Sequence, residues 1–199
     1  MYEAIATFFS YALLAIFAQN AIFSRGLGVS RLVQLVGDSK TSSWLFGILL
    51  CVTQLSLAPL AWYAGNLVAS LSFRASIRPL VYLACTCIVC FAERLVLQIP
   101  FIPKRTQFIR ILPAAALNSC VLGTALVART QSFTLPQAMG FGLGSGLGYI
   151  LAVMLVTEAQ RRLRSEAIPK AFRGLPITLI YIGVLALAIY GFTGHSVIV

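Results

Sequence analysis

Residues 43–64 read SWLFGILLCVTQLSLAPLAWYA, an apolar run without a charged side chain. A helix of about 20 apolar residues spans the roughly 30 Å hydrocarbon core of a bilayer. Similar runs fall near 4–24, 77–99, 111–128, 135–157 and 174–194. In lipid every backbone polar group must be satisfied within the chain, so each run is expected to be a helix. The strict apolar–polar alternation of a membrane β-barrel is absent. The expectation is an all-α integral membrane protein with six transmembrane helices and short loops.

Composition agrees. Of 199 residues, 59% are hydrophobic and only 10% charged, and mean hydropathy is +0.92. A soluble domain carries about 25% charged residues. Six spans of about 20 residues leave no room for an inserted soluble domain. The first basic residue is Arg25, so the first run lacks the charged start of a signal peptide and is read as a retained helix.

The net charge of +10 does not point to nucleic acid, because the basic residues sit between apolar runs. Arg25, Arg31 and Lys40 follow the first run, Lys104, Arg105 and Arg110 precede the fourth, and Arg161, Arg162, Arg164, Lys170 and Arg173 follow the fifth. The alternate loops hold only Arg74, Arg78 and Arg129. Cytoplasmic loops carry the excess of Lys and Arg, which places both termini outside the cytoplasm of a cell inner membrane.

The two halves, 1–100 and 101–199, look related. The first run ends at Gln19-Asn20 and breaks at Arg25-Gly26-Leu27-Gly28. The fourth starts after Pro113 and carries Asn118 and Gly123. Three helices per half force the second half to enter the membrane from the opposite side. This is an inverted repeat, and paired interrupted segments in such repeats point to the functional centre.

Four stretches carry a family likeness: Asn20 with Gly28-Val29-Ser30-Arg31; Phe91-Ala92-Glu93; Leu112-Pro113 with Asn118 and Val121-Leu122-Gly123; and Ile168-Pro169-Lys170-Ala171-Phe172-Arg173-Gly174 running to Gly191-Phe192-Thr193-Gly194. Through them the chain resembles the Rnf/Nqr family of six-helix membrane subunits, most of all the A subunit of the Rnf electron transport complex. It is also similar to the D and E subunits of sodium-translocating NADH:quinone reductase. The resemblance implies two inverted three-helix repeats and pairing with a homologous subunit of opposite topology beside other redox subunits. It also implies a shared iron–sulfur (2Fe–2S) cluster with two cysteines from each of the pair, and electron transfer coupled to Na+ or H+ movement. Here the Arg25–Gly28 stretch has no cysteine, and Ser119 stands where the family's second cysteine follows the asparagine. Cys120 is one residue further, about 100° around a helix. A serine hydroxyl is a poor ligand beside the thiolates such clusters use. No cofactor or metal is therefore assigned.

Glu93, Asn20 and Asn118 are the candidate ion-pathway residues. An ionisable group inside a membrane helix costs about 2.5–3.5 kcal/mol on insertion scales and is functional by default; the alternative for Glu93 is a local pair with Arg94 near the interface. The asparagines can bond carbonyls freed at helix breaks or join helices. Cys85, Cys87 and Cys90 read as packing residues, with 87 and 90 on one face, and Cys51 and Cys120 as small apolar ones. Gly140 to Gly148 alternate with larger residues inside an apolar run, which suits close helix approach rather than dinucleotide binding. His195, the single histidine, belongs to an outer tail. No hydrolytic triad can be assembled. The leading reading is a membrane subunit of a redox-driven ion-translocating complex. The rivals are a small-solute transporter or substrate-binding component, and a non-redox scaffold subunit.

Overall fold

The structure, a computed structural model, describes residues 2–37, 42–70, 73–99, 105–162 and 168–193. The expectations placed on Lys40, Lys104, Arg164, Gly194 and His195 lie outside the described residues. Among those described there are eight α-helices: α1 (Tyr2–Ile16), α2 (Val29–Gly37), α3 (Ser43–Leu67), α4 (Arg74–Leu97), α5 (Arg105–Ala116), α6 (Ser119–Thr130), α7 (Leu135–Arg162) and α8 (Leu175–Thr193).

The protein is a multi-pass helical membrane protein. Helices α3, α4, α7 and α8 are each long and apolar enough to cross a bilayer. Helices α5 and α6 qualify only as a pair, bent by 49° at their junction. Helix α1 is a shorter apolar helix of 15 residues, about 22 Å at 1.5 Å per residue. The expected interruptions of the first and fourth runs are present, and among the described residues four helices, or five with the bent pair, are long and apolar enough to span. The first run stops being helical at Ile16, earlier than the sequence suggests, and the fourth divides between Ala116 and Ser119. An asparagine side chain organises each break. Helix α2, expected as loop, forms after the first break and buries Leu32 and Leu35.

Helix α7 is the central pillar, packed mainly against α1 and α3. Its glycines explain how. A Cβ at Gly140 or Gly144 would collide with the backbone of Phe8 or Ala12 on α1. A Cβ at Gly142 would come 3.1 Å from Gln54 O, and one at Gly146 within 2.6 Å of Cys51 Sγ, both on α3. Residues four apart share a helix face, so one set of glycines fits α1 and the other fits α3. Without a hydrophobic force between helices in lipid, this close backbone approach is what holds them together.

Helix α8 buries only Thr178 and Ile182. Its other side chains, including Leu187 and Phe192, are exposed apolar groups, as suits a helix facing lipid or a partner.

Candidate functional site

The first break is organised by Asn20, which is fully buried. Its Oδ1 accepts from Ile22 N at 2.9 Å and Phe23 N at 3.3 Å. Its Nδ2 donates to Ile16 O at 2.9 Å and to Gly148 O on α7 at 3.0 Å. One side chain thus replaces the helix ladder on both sides of the interruption and ties it to the pillar. The chain then turns through Gly26 (φ 67°) and Gly28 (φ 80°), left-handed conformations that suit glycine.

The second break is organised by Asn118. It is the N-cap of α6, and its Oδ1 accepts from Cys120 N at 3.0 Å. An asparagine N-cap satisfies one of the free N–H groups at a helix start.

The two breaks meet. Gly28 N donates to Ser119 Oγ at 3.0 Å, and Tyr149 OH on α7 donates to Gly28 O at 3.2 Å. A Cβ on Gly28 would lie 2.9 Å from Asn118 Oδ1, and one on Gly123 would collide with Leu27. The fold therefore brings Asn20 and Asn118 to a common junction around Gly28, Gly148 and Tyr149, although they lie far apart in sequence.

Glu93 stands apart from this junction. It is half-buried on α4 and faces Thr53 on α3. The Thr53 hydroxyl lies 2.8 Å from Leu49 O and 2.9 Å from Glu93 Oε2, so its single proton serves two acceptors. Glu93 Oε1 is buried with no hydrogen-bond partner. Among the described residues the ion pairs join Glu158 to Arg161 and Arg162, and Arg94 does not pair with Glu93. A carboxylate beside a hydroxyl, with one oxygen free, is an arrangement of hard oxygen donors suited to a small cation.

The sequence does not single out Thr53, Gln54, Thr124 or Ser145, all of them buried and polar. Gln54 Nε2 lies 3.3 Å from Cys120 Sγ, 3.4 Å from Thr124 Oγ1 and 3.5 Å from Ser145 Oγ. Cys120 Sγ and Ser145 Oγ are 3.5 Å apart. Thr53 and Gln54 are neighbours on α3, so one helix links Glu93 on one side to Cys120 on the other. The signal was a Thr-Gln pair in the middle of an otherwise apolar run.

The sequence makes the cysteines packing residues. Cys51, Cys85 and Cys120 are buried, Cys90 is partly buried and Cys87 is exposed. Within the C-x-C-x-x-C stretch it is Cys85 and Cys90 that pack on the core, while Cys87 faces outward. Among the described residues no group of three or more His, Cys, Asp or Glu could hold a metal ion. The cluster implied by the resemblance does not fit these residues: the Ser119 hydroxyl is used to join the breaks, and the Cys120 thiol points away into the Gln54–Ser145 group.

Residues 8–196 match the family model for the Rnf-Nqr subunit, a membrane protein. The chain is 31% identical over 189 residues to the A subunit of the Na+-translocating ferredoxin:NAD+ oxidoreductase complex of Acetobacterium woodii, covering 90% of this chain and 93% of the relative. It is 30% identical over 194 residues to the E subunit of the Na+-translocating NADH-quinone reductase of Psychromonas ingrahamii, covering 90% and 94%. A shorter stretch of 83 residues is 42% identical to the A subunit of the ion-translocating oxidoreductase complex of Syntrophotalea carbinolica, covering 42% of this chain and 43% of the relative.

Proposed function

Because this chain belongs to the Rnf-Nqr family of membrane subunits, we propose that it is a membrane subunit of a redox-driven, Na+- or H+-translocating electron transport complex. The observation that carries this reading is the junction of two interrupted helices, one from each half of the chain, around Asn20 and Asn118. Interrupted helices meeting inside a membrane protein expose backbone dipoles to a pathway, the arrangement transporters use at their ion sites. The names of the relatives support the same class of complex.

In this reading the chain crosses the membrane six times. The crossings are α1 with its break, α3, α4, the bent α5–α6 pair, α7 and α8, arranged as inverted repeats over 1–100 and 101–199 with both termini outside the cytoplasm. Its partners are a homologous six-helix subunit of opposite topology and the redox subunits of the complex. Glu93 offers a carboxylate on the cation path, and Asn20 and Asn118 fix the two helix breaks against each other. The electron carriers belong to the partner subunits, because this chain's own thiols are not placed for a cluster.

The test is capture of the tagged chain from native membranes in mild detergent, with the co-purifying subunits identified by mass spectrometry. Flavin or iron–sulfur subunits together with a second six-helix homologue are expected. Recovery without any redox subunit would overturn the proposal.

A further inference from the structure

A narrow crevice enters the bundle from the end where the α3–α4 and α6–α7 connections lie. Its outer part is formed by Arg129, Trp62 and Ala128, all partly exposed, and its inner part by Leu57, Val121 and Gln54, all buried. Arg129 is held at the mouth by its bond to Asn66 Oδ1 at 2.8 Å. Trp62 Nε1 donates to Phe133 O at 3.0 Å and so stands fixed as the opposite wall. At the inner end Gln54 is 2% exposed, and its Nε2 is committed to the Cys120, Thr124 and Ser145 group. Its Oε1 is buried without a hydrogen-bond partner. A buried acceptor left unpaired is destabilising, and native proteins satisfy such groups with protein or ordered water.

The crevice leaves about 30 Å³ for the centres of water molecules, and one water needs about 10–15 Å³ on that measure. We propose that this crevice is a hydration site: water enters past Arg129 and donates a hydrogen bond to Gln54 Oε1. The guanidinium at the mouth disfavours a cation as occupant, and the narrowness excludes anything much larger than water. Solvent thereby reaches the Gln54–Cys120–Ser145 group, which borders the junction of the two breaks, from the end at which Arg129 stands. The site is independent of the proposed redox role, and its test reads hydration rather than transport.

Radiolytic footprinting of the intact chain in detergent, read by mass spectrometry, is the experiment. Hydroxyl radicals formed from bound water modify the side chains that touch it. Leu57 and Val121, buried but lining the crevice, are expected to be modified well above Leu32 and Leu50, equally buried but away from it. Gln54→Leu, which keeps the volume and removes the acceptor, should lower modification of Leu57 and Val121 by about fivefold, the weight of one hydrogen bond. If Gln54→Leu does not fold, Gln54→Met serves the same purpose. Equal, background modification of all four leucine and valine positions in the wild-type chain would overturn the proposal, as would modification that is unchanged in a folded Gln54 variant.

Discussion

Among single residues, the two asparagines carry different loads. Asn20 engages four backbone groups, while Asn118 caps one helix start. Asn118→Ala is expected to cost about 1 kcal/mol of stability, the usual loss for an N-cap. Asn20→Leu leaves Ile22 N and Phe23 N buried without an acceptor and should cost more, at about 1–3 kcal/mol for each unsatisfied group. Denaturant titration in detergent, followed by circular dichroism, checks both the values and their order. Glu93→Gln removes the charge while keeping a group able to bond Thr53. It is expected to leave assembly intact and to weaken the apparent cation affinity of transport about tenfold or more, as loss of a charged hydrogen-bonding partner does. Wild-type coupling in that variant would remove Glu93 from the pathway. All three residues stood out in the sequence because each is polar within an apolar run. Their separation, with the asparagines together and Glu93 elsewhere, was not legible, because it depends on which helices become neighbours.

Among the helices, α7 is specified by its small residues. Gly144 meets the backbone of Ala12 on α1 so closely that any Cβ must push the helices apart. Gly183 on α8 has open space where a Cβ would sit. Gly144→Leu is therefore expected to lower the thermal midpoint in detergent strongly and loosen α1, because overpacking costs about 1–3 kcal/mol or more. Gly183→Leu should be neutral or slightly stabilising, since glycine is a poor helix former. A comparable drop for both would mean that α1 is not held by this seam. The packing role of the 140–148 glycines was readable from their spacing. Which glycine faces which helix was not, since both α1 and α3 are apolar and either could have supplied the partner. The broken elements were half readable: Asn20, Gly26, Gly28, Pro113 and Asn118 marked where regular helix fails. The extent of the first break, 17–28, follows from the Asn20 side chain capturing N–H groups that a helix would have used.

Across the molecule as a whole, the distribution of Arg and Lys predicts that both termini lie outside the cytoplasm. A phosphatase reporter active only outside the cytoplasm, fused to the C-terminus, is expected to be active, and a fluorescent reporter that matures only in the cytoplasm should stay dark in the same position. The opposite pattern would invert the proposed topology. The order of residues alone establishes a helical membrane protein, because apolar runs of span length leave the backbone no other way to bond in lipid. Through its motifs it also points to the Rnf-Nqr family, and by Ser119 and the missing thiol near Gly28 it argues against the family's cluster. Contacts between distant segments add what no stretch of chain reveals: the two breaks touch, Ser119 joins them through Gly28, and Cys120 turns inward to Gln54. The difference is one of range. Burial in lipid and helix interruption are local properties, written in a few consecutive side chains. The meeting of residue 28 with residue 119 depends on α7 gathering α1 and α3 onto opposite sides of its glycine faces, a result of packing that no single segment contains.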